Sequence, residues 1–268
     1  MSLRINTNVE AMNAHRQLSG TSDKLAKSME RLSSGYRINR AADDAAGLAI
    51  SEKLRGQISG LDQAGRNVQD AVSLVQTAEG SLAEVHSMLQ RVRELAVQYK
   101  NGTLSTTDQN SIQSEVNMLA SEIERIGSSA QFNGIALLNT TQTVTFQVGA
   151  EDGETISIAM ISLGGSACPT TAFDLTSSVA IANIDSAISS VSDQRSVFGA
   201  VQNRLEHTLN NLQTYQENLV ASESRIRDVD MAKEMVNLTK LQVLQQAGTS
   251  MLAQANQSPQ SVLSLLKG

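Results

Sequence analysis

The 268 residues carry a net charge of −6, and aromatic residues make up only 3% of them, with no Trp and four Phe. That balance argues against a basic nucleic-acid-binding face and against electrostatic attachment to anionic lipid. Without the large aromatics that bury most area per side chain, thin helical seams of Leu, Ile, Val and Ala are favoured over a globular interior.

The opening, MSLRINTNVEAMNAHRQL, has no continuous apolar core and no small-residue cleavage site, so no general secretory signal is expected. No stretch approaches the roughly 18 apolar residues of a membrane-spanning helix. Two options remain: residence in the cytoplasm, or export by a route that reads another signal. Leu18, Leu25 and Leu32 then stand seven apart, with Met29 between them. This stripe is too narrow to hold a helix by itself.

The strongest pattern follows. Leu61, Val68, Val75, Leu82, Leu89 and Ala96 recur every seven residues, and Ala64, Ala71, Ala78, Val85, Val92 and Tyr99 recur three positions later. A seam of this length marks a coiled coil. Leu54 and Ile58 extend it back towards Asp43 and Asp44, which predicts one helix from about Asp44 to Tyr99, on the order of 80 Å long at 1.5 Å per residue. Gly47, Gly56, Gly60 and Gly65 each weaken such a helix by roughly 1 kcal/mol relative to Ala. Another helix or a neighbouring copy approaching the backbone closely would explain their presence.

A turn at Asn101-Gly102-Thr103 precedes a second helix, with Thr107 or Asp108 as its N-cap. Ile112, Val116, Leu119, Ile123 and Ile126 form its apolar face, and Gly127 with Ser128 ends it. The period then changes to two. Val144, Phe146 and Val148 alternate with polar residues, as do Ile156, Ile158 and Met160, around a turn at 149–153. This predicts one β-hairpin over about 142–160, which must lean on the helices because a lone hairpin is marginal. Residues from about 163 to 178 are rich in Gly, Ser and Thr and read as an exposed loop.

A third seam runs through Ile184, Val191, Phe198, Leu205, Leu212, Leu219 and Ile226, complemented by Ile181, Ile188 and Leu209 and interrupted by Gln194, Arg195, Gln202 and Gln216. Beyond it, Met231, Met235, Leu238, Leu241, Leu244, Met251 and Leu252 form a looser stripe. Both ends are patterned for helices yet lack a core. Each needs a partner, the simplest being the other terminus and then neighbouring copies, so the ends are expected to order on assembly. The fold class is mainly α: long antiparallel coiled-coil helices, one small hairpin, and paired N- and C-termini.

No residues point to catalysis. Asp43 and Asp44 are adjacent, so on a helix they would point about 100° apart and form no acid/base dyad; capping and dipole compensation suit them better. There is no GxxxxGK[ST], GxGxxG or HExxH run. His15, His86 and His207 are isolated and read as surface or seam residues. The single cysteine, Cys168, forms no internal disulfide framework or CxxC zinc site and reads as an incidental loop residue. No catalytic, metal or cofactor residue is assigned, and no cofactor is expected.

Several long runs carry a resemblance. Residues 30–50, ERLSSGYRINRAADDAAGLAI, resemble the N-terminal signature of bacterial flagellins, and Leu3-Arg4-Ile5-Asn6-Thr7-Asn8 resembles their opening. Gln131-Phe132-Asn133-Gly134 followed by Leu137-Leu138 is similar to a further family motif. Residues 224–232, SRIRDVDMA, and 252–257, LAQANQ, resemble the C-terminal signature.

The resemblance implies a subunit of the extracellular flagellar filament, a helical homopolymer used for motility. It implies that about 1–42 and 227–268 pair as the inner tube, with 43–226 as the outer packing domain. Subunit packing would involve Leu18, Leu25, Leu32, Gly35, Arg40, Asp43, Asp44, Arg225, Asp228, Met231, Leu238 and Leu252. Implied partners are other copies of the chain, an export chaperone on the C-terminal helix, the filament cap and the hook-associated proteins, with export unfolded through the flagellar type III apparatus. Gln90, Arg91, Leu95 and Glu115 resemble the segment read by Toll-like receptor 5; Leu95, one position off the seam, is expected to be partly exposed. Between Met160 and Ser178 there is no room for the outer domains of larger flagellins, which implies a thin, smooth filament. Competing readings are a hook-filament junction protein, which shares the terminal architecture, and a cytoplasmic coiled-coil adaptor.

Overall fold

The computed structural model describes residues 8–163, 173–177 and 180–266, the last nine of these by their backbone alone. Most of the loop expected to be exposed at 163–178, including Cys168, lies outside the described residues; of those described, Leu163, Phe173 and Leu175 are buried in the helical cluster and not exposed, because their apolar side chains pack on the helices. The chain forms two compact units, Met1–Gly56 with Leu219–Gly268, and Gln57–Asn218.

In the first unit, α1 (Val9–Ser34) packs antiparallel on α5 (Met231–Leu266). Asn8 caps α1 by accepting a hydrogen bond from the Ala11 N–H, and Gly35 closes it in the left-handed region at φ 76°, a conformation glycine adopts without penalty. Leu18, Leu25 and Leu32 are only half-buried. Met29, expected between them, is 51% exposed, because Thr21 and Ser28 occupy the complementary inner positions of the stripe. The pairing is thin, and α5 keeps Met235, Val236, Val243 and Leu244 exposed on its surface.

The second unit is built on the part of α2 (Ala45–Tyr99) that begins at Gln57. Leu61, Ala64, Val68, Ala71, Val75, Ala78, Leu82, Val85, Leu89, Val92 and Ala96 are all buried, and Tyr99 at the seam's end packs against the same cluster. α3 (Thr106–Ser129) contributes Ile112, Val116, Ala120 and Ile123. Its N-cap is Ser105, two residues before the expected Thr107: the Ser105 hydroxyl accepts from the Asp108 N–H while the Asp108 carboxylate accepts from the Ser105 N–H. Asp108 is thus the third helical residue of a capping box and not the cap. α4 (Ala180–Arg227) buries Ile184, Val191, Phe198 and Leu205, after which Leu212 is only half-buried. Gln194 interrupts the row because its amide donates to the Ala159 carbonyl at 3.1 Å, and Arg195 because it reaches Glu79 at 3.8 Å.

The hairpin pairs β3 (Thr143–Gln147) with β4 (Thr155–Ala159), Val144 opposite Ile158 and Phe146 opposite Ile156. Ile156 and Ile158 are buried in the helical cluster. A second, minimal hairpin joins β1 (Gln131–Phe132) to β2 (Ile135–Ala136). Asn133 and Gly134 form its tip, both at positive φ, as a two-residue hairpin turn of mirror type requires.

Candidate assembly site at the paired termini

The chain leaves α1 through an extended stretch that pairs with the end of α4. Tyr36 bridges Asp228; the Arg37 N–H donates to the Arg227 carbonyl at 2.7 Å, and the Val229 N–H donates to the Gly35 carbonyl at 3.0 Å. The Arg37 guanidinium adds a 2.5 Å bond to the Ile226 carbonyl. Above this ladder Arg227 covers the Tyr36 ring and meets Glu52 at 2.8 Å and Glu223 at 4.0 Å. The hydrogen bond from Arg227 holds the Glu52 carboxyl below its ordinary range.

The two adjacent aspartates serve different ends of one turn. Asp43 accepts from the N–H groups of Asn39 (3.2 Å) and Arg40 (3.1 Å) and pairs with Lys27 at 2.6 Å. The Lys27 bond, then those backbone bonds, draws its pKa from 3.8 down to about 2. Asp44 instead accepts from the Gly47 N–H at 2.9 Å, capping α2. Ile38 is fully buried beneath the turn. A Cβ at Gly47 would stand 2.5 Å from the Asp44 carboxylate and 2.8 Å from the Ile38 side chain, so glycine is the residue that fits.

Of the assembly residues named from sequence, Arg40, Asp43 and Asp44 share this turn, Arg40 also making an exposed pair with Glu30 at 3.0 Å, while Gly35 enters the ladder through its carbonyl. Asp228 pairs with Tyr36 across the ladder and accepts from the Ser224 hydroxyl at 2.6 Å. Leu18, Leu25 and Leu32 line the α1 side, Leu238 is buried and Leu252 half-buried on α5. Arg225 is exposed and donates to the Ser222 hydroxyl at 2.9 Å, and Met231 is 49% exposed. Sequence reading gave no role to Tyr36, Arg37, Glu52 or Arg227. Tyr36 and Arg37 lay inside the 30–50 run, but only the fold brings them to Arg227.

A second surface belongs to α5. Met235, Val236, Thr239, Lys240, Val243 and Leu244 line a shallow, mostly apolar groove. A helix apolar on more than the face it buries is built for a further partner.

On the second unit, Arg91 pairs with Glu115 of α3 at 2.9 Å and with Glu94 at 3.2 Å, contacts that hold its pKa above the ordinary arginine value. Gln90 is exposed and its amide contacts the His86 ring at 2.9 Å. Leu95 departs from expectation: it is 2% exposed. At this level α2 is flanked by α3 through Arg91–Glu115 and by α4 through Arg93–Asp185 at 2.6 Å. With two neighbouring helices, the position beside the seam is covered as well.

Among the described residues no group of His, Cys, Asp and Glu could hold a metal ion, and no helix is long and apolar enough to cross a membrane.

Two sequence families match the chain. One, described as the bacterial flagellin N-terminal helical region, covers residues 5–143, and the other, the bacterial flagellin C-terminal helical region, covers residues 181–266. A flagellin of Halalkalibacterium halodurans is 56% identical over 270 residues, spanning 98% of this chain and 99% of that one. A flagellin of Bacillus subtilis is 48% identical over 304 residues, spanning 99% and 100%. Among solved structures, the crystal structure of Bacillus cereus flagellin is 35% identical and covers 55% of this chain and 88% of its own, with a TM-score of 0.51.

Proposed function

The chain belongs to the bacterial flagellin family, structural subunits of the flagellar filament and not enzymes, and from that premise we propose that its paired termini are the part that polymerises. In this reading residues 1–42 and 227–268 line the inner tube of an extracellular filament, and 43–226 pack around it. The observation that carries it is the exposed apolar row of α5, which includes Met235, Val236, Val243 and Leu244 in addition to the face set on α1. Such a row buries its surface when copies associate. The test is seeded polymerisation: purified subunit is added to sheared filament seeds or a salting-out anion, pelleted and viewed by negative-stain electron microscopy. Long uniform tubes, lost on deleting 1–42 or 227–268, support the reading. A protein that stays small under every condition overturns it.

The same exposed row requires cover before assembly. This supports a chaperone on the C-terminal helix and delivery unfolded through the flagellar type III apparatus. The filament cap and the hook-associated proteins complete the proposed partners, on the family resemblance alone. Recognition by Toll-like receptor 5 is supported by the exposed Arg91, Glu115 and Gln90. Buried Leu95 would act there by holding α2 in place. A cell reporter silent towards free subunit overturns that recognition.

A further inference from the structure

The leucines of α1 do not define how it sits on α5. Leu18, Leu25 and Leu32 repeat every seven residues and all are half-buried, so sliding the helix by one heptad still places leucine at two of the three leucine sites. The one buried residue of α1 is Ser28, at 2% exposure. Its hydroxyl donates to the carboxylate of Glu234, which is itself 9% exposed. Asn237 donates to the same carboxylate oxygen at 3.2 Å and reaches the Ser28 hydroxyl at 3.5 Å. Among the described residues Glu234 has no cationic partner. The most enclosed point of the terminal pair is therefore a polar contact in a seam that apolar residues could fill.

We propose that Glu234, held by Ser28 and Asn237, fixes the register of α1 on α5 and thereby excludes slipped and like-with-like pairings of the terminal helices. A buried carboxylate left without donors is strongly unfavourable. A polar group at one seam position specifies register at some loss of stability. Slip by one heptad in one direction brings Glu234 opposite Gly35, which has no donor side chain. Slip in the other direction brings it opposite Thr21, whose hydroxyl already donates to the Gln17 carbonyl at 2.9 Å, and places Ser28 opposite Arg227. Pairing α5 with another α5 offers Glu234 no Ser28 at all. The observed register recurs along the pair, in the Asn8 amide on the Ala255 carbonyl at 2.7 Å and in Leu18 against Gly248.

That last contact supplies the reporter. A Cβ at Gly248 would stand 3.9 Å from the Leu18 Cβ, inside the disulfide range of about 3.5–4.5 Å. In a full-length Cys168→Ser background, Leu18→Cys with Gly248→Cys reports the native register. Leu25→Cys or Ala11→Cys, each with Gly248→Cys, reports the two one-heptad slips. The inference rests on the filament reading only for its setting, oxidation of polymerised protein. With Glu234 intact, the 18/248 pair is expected to close within one chain and the slipped pairs to stay open. Glu234→Leu is expected to raise slipped or interchain cross-links to a level comparable with 18/248 without lowering the melting temperature. Glu234→Gln, which keeps the acceptor oxygen, should restore the native pattern. Native-only cross-linking in Glu234→Leu overturns the proposal and gives the register to the Tyr36–Asp228 ladder. A variant that does not polymerise alone is read in filaments made with an excess of unmodified subunits, where the same outcomes hold. Failure of the unmodified protein to polymerise would instead overturn the filament reading, and the cross-links are then read in the free chain.

Discussion

The guanidinium of Arg227 lies 4.8 Å from the centroid of the Tyr36 ring while one of its nitrogens meets Glu52 at 2.8 Å. Its side chain keeps only 15% of its exposure, and a cation over an aromatic face in such a setting contributes about 0.5–2 kcal/mol. Arg227→Ala is expected to lower the dissociation temperature of filaments. Arg227→Lys should recover little of it, because an ammonium cannot stack flat and bond Glu52 together. Equal melting of Arg227→Ala and unmodified filaments would show that the backbone ladder alone holds the junction.

Asp43 sets a pH dependence whose sign is fixed by its folded-state pKa of about 2 against an ordinary 3.8. The folded state binds the proton less readily than the unfolded state, so the stabilisation is complete above about pH 4 and is lost as pH falls towards 2. Glu52, Asp108, Glu122 and Asp174 are shifted in the same direction. Asp43→Asn should be less stable at neutral pH, and its stability curve should meet that of the unmodified protein near pH 2. Parallel curves down to that pH would remove Asp43 from the acid response.

Leu95 and Arg91 separate scaffold from surface. Leu95→Ala opens a cavity in the cluster shared by α2, α3 and α4, and buried Leu→Ala changes destabilise by about 2–5 kcal/mol. Arg91→Ala removes only exposed pairs and should stay within about 1 kcal/mol. Chemical denaturation of residues 57–218 within the full chain reads both. If receptor signalling falls with Arg91→Ala at unchanged stability, the charge is read directly. If it falls only with Leu95→Ala, loss of the fold accounts for it.

The heptads were legible because a coiled-coil seam is local information: each position from Leu61 to Ala96 announces its burial by its spacing. The main hairpin was legible for the same reason, with period two replacing the helical period. The β1–β2 hairpin was not, since two-residue strands have no period to read. Ser105 was missed because in Ser105-Thr106-Thr107-Asp108 every residue is a plausible cap, and only the reciprocal bonds distinguish the third helical residue from the cap. Leu95 was expected to be partly exposed because it stands one position off the seam, and spacing alone does not show that α3 and α4 both flank α2 at its level. Arg227 with Tyr36, and Ser28 with Glu234, lie 191 and 206 residues apart. Nothing local marks such pairs.

The glycines of α2 yield the last prediction, because the two nearest its start differ in what surrounds them. Ala at Gly47 gains about 1 kcal/mol of helix propensity. Its Cβ, however, meets the Asp44 carboxylate at 2.5 Å and fully buried Ile38 at 2.8 Å. Relief must move the capping carboxylate, whose bond to the Gly47 N–H contributes about 1 kcal/mol, or the isoleucine, at about 1–3 kcal/mol for overpacking. Gly47→Ala should therefore be net destabilising and weaken assembly. At Gly56 the added Cβ has nothing within 4 Å among the described residues, so Gly56→Ala should stabilise the free subunit by up to about 1 kcal/mol. Polymerisation then decides why that glycine is there. Filaments that form normally from Gly56→Ala mean that no neighbour approaches the helix at this point. A stabilised subunit that no longer polymerises means that a second copy packs on the bare backbone.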